Sequence, residues 1–436
     1  MNNFLEKTFR LQENNTNIKT EVLAGITTFM TMAYILAVNP IILSASGMDS
    51  GAVFAATAIS ACLGTLIMAF CSNYPFVLAP GMGLNAFFAY TVVGQMGYSW
   101  QVALGAVFLE GIIFLILSLT KVREAIFNCI PPAIKFGVSG GIGLFIAFIG
   151  MQSSKLVIDG PTLVTIYPFK AALASGEFWS TGIGAVLAVF GVLITAIFLT
   201  KRVPGAILWG ILATWFAGIG CELTGIYVPN PQLGMFSVLP DFSKGISIPS
   251  LAPTFMQMDF SDLLSFNYLT IMISFMFVDL FDTLGTLIGV ASKANMLDAY
   301  GRLPRIRGAL LADSIATAGV AVGGRTGLTG IVSAGLFLIS LLLAPIFLAI
   351  PAFATAPALI VVGFMMLSSI MNIDFNDFTE AIPAFIAIIM MPFTYSIAEG
   401  ISMGVISYVI INVFAASKYK TINGITYVLA LLFIFK

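Results

Sequence analysis

SFMFVDLFDTLGTLIGVA, residues 274–291, is long and apolar enough to cross a bilayer, yet two carboxylates, Asp279 and Asp282, lie near its middle. At i, i+3 spacing they share one helical face, which Thr283 and Thr286 continue. An aspartate at the centre of a membrane helix costs roughly 2.5–3.5 kcal/mol on insertion scales, so two persist only with a use or a partner. A buried structural network between helices is one reading. The other is a polar site at mid-membrane for a solute, a proton or a cation, and intramembrane acids mostly mark such pathways.

The rest of the chain fits a bilayer. Of 436 residues 59% are hydrophobic and 9% charged, and the mean hydropathy is +1.03. A soluble surface needs far more charge. Apolar runs of roughly twenty residues, without the ten-residue alternation of an outer-membrane barrel, predict an all-α polytopic membrane protein. A net charge of −1 without a basic block argues against a nucleic-acid partner. Cys62, Cys71, Cys129 and Cys221 lack metal-ligand spacing, so neither metal nor cofactor is expected. Histidine is absent, and any proton carried across must ride on carboxylates.

Residues 1–21 are polar and mixed in charge, unlike a signal peptide. The first span covers about 22–43, with Asn39-Pro40 at its exit, and the second covers 52–70. In NYPFVLAPGMGLNAFFAYTVV, Pro75, Pro80, Gly81 and Gly83 break the helix just before Asn85. Broken backbone at membrane depth is tolerated where it is buried or lines a cavity, so a half-helix beginning near Gly83 is expected to face one. Span four (102–119) carries Glu110, either a proton site or an acid paired with a neighbouring helix. In span five Gly137 and Gly141 stand in GxxxG register, which predicts a packing face. Residues 153–178 read as a loop, and 228–264 as a long extracytoplasmic one.

Basic residues set the orientation. Lys7, Arg10 and Lys19, then Lys121 and Arg123, Lys201 and Arg202, and Lys293 to Arg307 all fall on one side if each run crosses once, which makes the N-terminus cytoplasmic. The count fails afterwards: residues 308–323 contain Asp313 and are barely long enough to cross, and a single crossing there puts Arg325, Lys418 and Lys420 outside.

NNTNIKTEVLAGITTFMTMAYILAVNP, APGMGLNAFFAY, FVDLFDTLGTLIGVA and GGRTGLTGIVSAGLF together closely resemble the nucleobase–cation symporter-2 family, in its AzgA-like purine branch of guanine/hypoxanthine and adenine permeases. The resemblance covers nearly the whole chain. It implies two inverted seven-span repeats, residues 22–227 and 265–436, arranged as a core (spans 1–4 and 8–11) that moves elevator-fashion against a gate (5–7 and 12–14). It places the substrate site between spans three and ten, with Asp279, Asp282 and Thr283 of span eight facing Gly81, Gly83 and Asn85. It matches Asp313 to an acid in span nine and Gly324, Arg325 and Thr326 to the loop after span ten. One departure stands out: the Ser/Thr-rich stretch and glutamate that the family carries ahead of Gly-Gly-Arg-Thr-Gly are missing near 318–324. About one span's worth is absent, leaving about 13 spans. A natural short variant, an altered chain, or a rearrangement in which 308–323 fill the gap would each account for it.

The reading that follows is secondary active import of a purine nucleobase with protons, sodium being the other coupling ion, by a multi-pass protein of the cell membrane, with a homodimer fitting the family. Asp279, Asp282, Asp313 and Glu110 are the candidate proton carriers. Phe277, Phe281 and Phe87 or Phe88 are candidates to stack on the purine, although most phenylalanines in such a chain face lipid or core. The alternatives are a transport-inactive variant of that fold and an intramembrane aspartyl enzyme. The second is disfavoured because an aspartic dyad normally draws its carboxyls from different helices.

Overall fold

The computed structural model describes residues 2–119, 131–161, 163–233, 235–240, 248–262, 265, 267–279, 325–415 and 422–434. Among them, eight helical segments have the length and apolarity to cross a bilayer: Ile18–Ser44, Ser50–Ser72, Pro132–Ser153, Thr181–Thr200, Ala206–Leu223, Gly327–Leu348, Ala352–Asn372 and Ile397–Phe414. Trp100–Ile116, Asn267–Asp279, Phe378–Thr394 and Gly424–Ile434 are shorter apolar helices. The protein is thus all-α and polytopic, and the described helices coincide closely with the apolar runs of the sequence. Leu63, Phe70, Leu193, Phe216, Phe364 and Phe385 project outward from these helices, as side chains that meet lipid do.

Local chemistry sets the helix ends. Asn17 accepts from Thr20 N at 3.0 Å to start Ile18–Met32, and Asp49 accepts from Ala52 N at 2.7 Å to start Ser50–Ser72. Each such cap contributes about 1 kcal/mol. Asn73, left-handed at φ 52°, ends the second helix. The first span differs from the expectation at Asn39-Pro40. These residues lie buried inside the helix Ile35–Ser44, and the interruption falls earlier, at Ala33 and Tyr34. Neighbouring helices satisfy the groups that an internal proline frees, so it need not mark an exit.

Two neighbourhoods of helix packing make up the molecule. In one, Gly327–Ser340 lies against both Ile18–Met32 and Ser50–Ser72. In the other, Pro132–Ser153 packs between Ala352–Leu367 and Phe378–Thr394, and Thr181–Thr200 pairs with Ala206–Leu223. The expected GxxxG face is a packing face: a Cβ on Gly137 would stand 2.9 Å from Ala384 O, and one on Gly141 2.6 Å from Met391 Sδ. Gly143 belongs to another face of the same helix, where its Cβ would come within 2.6 Å of Gly363 O. Small residues let these backbones meet closely in lipid, where hydrophobic burial drives little association.

The loop read over 153–178 has structure of its own. Val157–Asp159 and Val164–Ile166 pair antiparallel, Val157 opposite Ile166, and the helix Phe169–Ser175 follows. The loop after Leu223 is fastened to its helix: Glu222 accepts from Ser237 Oγ at 2.6 Å and Val238 N at 2.8 Å, and Trp215 Nε1 donates to Val238 O at 2.8 Å. The shortened tenth span and the run 308–323 fall outside the described residues.

Candidate functional site

The third apolar region is broken as expected. Residues 73–81 form no helix, a helix starts at Met82 with Gly81 (φ −67°, ψ 125°) as its cap, and the helix continues as a π-helix from Phe87 to Gln95. Non-helical backbone packed among apolar spans needs partners. Thr65 supplies two of them, its hydroxyl oxygen accepting from Leu78 N at 2.8 Å and donating to Leu78 O at 3.2 Å. One threonine on the second span thereby straps the middle of the broken segment. π-helical stretches are rare and concentrate at functional sites.

Asn85 lies in the first turns of this helix, half-buried, behind the half-exposed Gly81 and the buried Gly83. Its Nδ2 donates to Asn39 Oδ1 of the first span, and Asn39 Nδ2 donates to Thr57 Oγ1 at 2.7 Å. Asn39 and Thr57 are each about 2% exposed. A chain of three side chains thus runs from the second span through the first to the broken segment.

Asp279 is the last described residue of the helix that begins at Asn267, and it is half-buried. One turn earlier Phe275, fully buried, stands edge-on to Phe87 at 5.0 Å and tilted to Phe88 at 6.4 Å. The helix that carries Asp279 is therefore docked on the helix that carries Asn85. Phe277 points elsewhere, its buried ring edge-on to Phe433 of Gly424–Ile434 at 5.2 Å. Residues 275 and 277 project about 200° apart on a helix, so only one of these rings can join the Asn85 side. Glu110 is buried on Trp100–Ile116, the helix whose Gly105 comes so close to Tyr268 that a Cβ there would lie 3.0 Å from the Tyr268 hydroxyl. Asp282, Thr283, Phe281, Asp313 and Gly324 lie outside the described residues.

Arg325 and Thr326 belong to a second polar cluster built on Glu21. This carboxylate is fully buried and accepts from Arg325 N (2.9 Å), Thr326 N (3.2 Å), Thr326 Oγ1 (2.8 Å), Thr329 Oγ1 (2.7 Å) and Thr16 Oγ1 (2.8 Å). Asn73 Oδ1 accepts from Gly327 N at 2.9 Å. The orphan donors at the start of Gly327–Ser340 are thus met by two side chains from the first and second spans, and the charge lies where the helix dipole favours it. Ser333 Oγ extends the seam one turn further, donating to Gly25 O at 2.7 Å.

Sequence reading did not single out Glu21, Thr57, Thr65 or Tyr395. Tyr395 lies between two helices at φ 55°, its ring edge-on to Tyr90 (5.7 Å), Phe145 (5.2 Å) and Phe148 (6.0 Å), and its carbonyl accepts from Thr91 Oγ1 at 3.1 Å. It joins the π-helix to the second packing neighbourhood. In the sequence it is one aromatic near the end of an apolar run, without a local signal of its contacts.

Broken helices that bring polar side chains together among apolar spans are a feature of transporter architectures. Solved structures agree on the fold: the chain is similar to the transmembrane domain of a cyanobacterial bicarbonate transporter, BicA, with a TM-score of 0.59 over 89% of this chain and 97% of that one at 16% identity. A model of the permease family, nucleobase–cation symporter 2, matches residues 19–329, and the chain belongs to that family. It is 47% identical to a putative permease of Methanocaldococcus jannaschii (99% of this chain, 97% of the relative). It is 41% identical to the guanine/hypoxanthine permease PbuG of Bacillus subtilis (98% of each), and 38% identical to the adenine permease AdeQ of Escherichia coli (99% and 96%). The Methanocaldococcus alignment runs over 449 positions against the 436 residues here, so at least 13 positions of that relative have no counterpart in this chain.

Proposed function

We propose that this permease is a secondary active importer of purine nucleobases, guanine or hypoxanthine with adenine as the nearest competitor, coupled to protons. It resides in the cell membrane with residues 1–21 on the cytoplasmic side. The observation that carries the reading is the docking of the Asp279 helix, through Phe275, onto the half-helix bearing Asn85. A carboxylate and an amide brought to one region of the membrane supply the fixed polar groups that a flat heteroaromatic base needs. The relatives named for guanine, hypoxanthine and adenine support the class of substrate. The two repeats, 22–227 and 265–436, joined by the extracytoplasmic loop at 228–264, each contribute to a core (spans 1–4 and 8–11) that moves against a gate (5–7 and 12–14), and the contacts of Tyr395 with Tyr90 and Thr91 belong to the boundary between core and gate. A carboxyl that is neutral in one state of the cycle and charged in the other couples the proton, and Asp279 and Asp282 are the foremost candidates.

The test is uptake of radiolabelled hypoxanthine and guanine by cells without purine permeases of their own, at acidic and alkaline external pH. Uptake that is stronger in acid and abolished by Asp279→Asn, with membrane insertion preserved, is expected. Normal accumulation by Asp279→Asn would sink the assignment, and a sodium requirement without pH dependence would replace the coupling ion. The family stretch missing near 318–324 favours one second reading, a chain with this fold that no longer transports. It predicts uptake only after a span-ten segment is restored ahead of Gly323.

A further inference from the structure

The polar chain that ends at Asn85 has a direction, and one hydrogen atom sets it. Thr57 has a single hydroxyl hydrogen. Val53 O, 2.7 Å away and four residues back in the helix, can only accept, so Thr57 donates there. Toward Asn39 the Thr57 oxygen therefore accepts, and the group that meets it must be the Asn39 amide nitrogen, at 2.7 Å. This turns Asn39 Oδ1 toward Asn85, where only Asn85 Nδ2 can complement it. Asn85 Oδ1 is the end that remains, and among the described residues it has no hydrogen-bond partner.

We infer that Asn39 and Thr57 are positioning residues that lock the Asn85 amide with its carbonyl oxygen outward, so that the permease offers a fixed acceptor to a ring N–H of its purine. The inference rests on the purine reading above and adds what sets the polarity of the site. Both residues are buried among the first two spans and the broken segment, and neither has a free group of its own for a ligand. Their effect is to select one of two amide orientations that are nearly isosteric. An amide free to turn would meet a donor or an acceptor alike; a locked one rejects a base that presents the wrong group, because a buried polar atom is then left unpaired.

The experiment is equilibrium binding of tritiated hypoxanthine to the purified full chain in detergent, with hypoxanthine, adenine, 7-methylhypoxanthine and 9-methylhypoxanthine as competitors. Adenine lacks the N1–H, and both methyl analogues lack the single imidazole N–H, which hypoxanthine carries on N7 or N9. Thr57→Val and Asn39→Leu are expected to weaken hypoxanthine about fivefold while leaving unchanged whichever competitors lack the contacted N–H, adenine alone for N1–H or both methyl analogues for the imidazole N–H. Thr57→Ser, which keeps the hydroxyl, should match the wild type, and Asn39→Asp, which still accepts from Asn85, should keep the ranking. An equal loss for all four competitors in Thr57→Val and Asn39→Leu would mean a merely structural role and would overturn the inference, as would no change in either variant. Failure of the wild type to bind any of the four would instead overturn the purine reading, and the inference with it.

Discussion

Two buried polar clusters lie on the same pair of spans and end differently. At Glu21, one carboxylate receives five hydrogen bonds from the segment ahead of it and the helix Gly327–Ser340, and nothing of it reaches solvent. At Asn39, each amide group is used in turn until the chain reaches Asn85, where one acceptor has no partner among the described residues. The first cluster is closed and the second open. A fully satisfied buried charge is architecture, since any change leaves donors stranded; a half-buried polar end without a partner among the described residues is where a ligand completes the count.

The largest effect expected from this contrast is at Glu21. Glu21→Ala strands three hydroxyls and two amide N–H groups in a buried pocket and should cost about 3–5 kcal/mol, the range for breaking a buried charged pairing. Size-exclusion profiles of the detergent-extracted protein should show loss of the folded peak, and a wild-type profile would mean that the cluster is not closed. Next comes Gly327→Ala. Its Cβ would stand 2.4 Å from Ala69 O, a backbone atom that cannot step aside, so about 1–3 kcal/mol of overpacking is expected as a lower melting temperature. Asn85→Leu orphans only the Asn39 acceptor and should cost less stability than Glu21→Ala, about 1–2 kcal/mol, while removing purine binding altogether.

The smallest effect lies outside the membrane. Tyr227 donates to Phe236 O at 2.8 Å, and burial, with the Glu222 carboxylate adding to it, pushes its phenol from 10.0 up to about 12. The folded state holds this proton more tightly than the unfolded chain. The stabilisation is therefore fully present below about pH 10 and lost as pH rises toward 12. Tyr227→Phe should cost about 1 kcal/mol at neutral pH and flatten that alkaline decline in melting temperature. Because this loop is near water, the same count of bonds should matter less there than at Glu21.

Much of the architecture was legible because apolar length and helix breakers are local signals. The spans, the break at Pro75 to Gly83 and the packing role of Gly137 and Gly141 needed only neighbouring residues. What escaped depends on partners far along the chain. Glu21 reads as an ordinary first-turn acid, and its meaning lies 304 positions away at Arg325. Asn39 beside Pro40 reads as a helix exit, since the neighbours that satisfy the helix there are not encoded nearby. The hairpin at 157–166 consists of two three-residue strands, too short to show an alternation. At the candidate site, the acid and the broken helix were visible, whereas the hydroxyl that orients Asn85 was hidden among the small residues of the second span.

The most direct test of the division between closed and open clusters is a ligand-induced thermal shift on two variants of matched cost. Thr329→Val removes one donor from Glu21, and Asn85→Leu orphans one acceptor, so each should lower the basal melting temperature by an amount corresponding to about 1–2 kcal/mol. A ligand at a hundred times its Kd adds about 2.7 kcal/mol to a protein that binds it. Saturating hypoxanthine should raise the melting temperature of Thr329→Val by the wild-type increment and leave Asn85→Leu unmoved. A full shift in Asn85→Leu, or its loss in Thr329→Val, would contradict the assignment of one cluster to the fold and the other to the substrate.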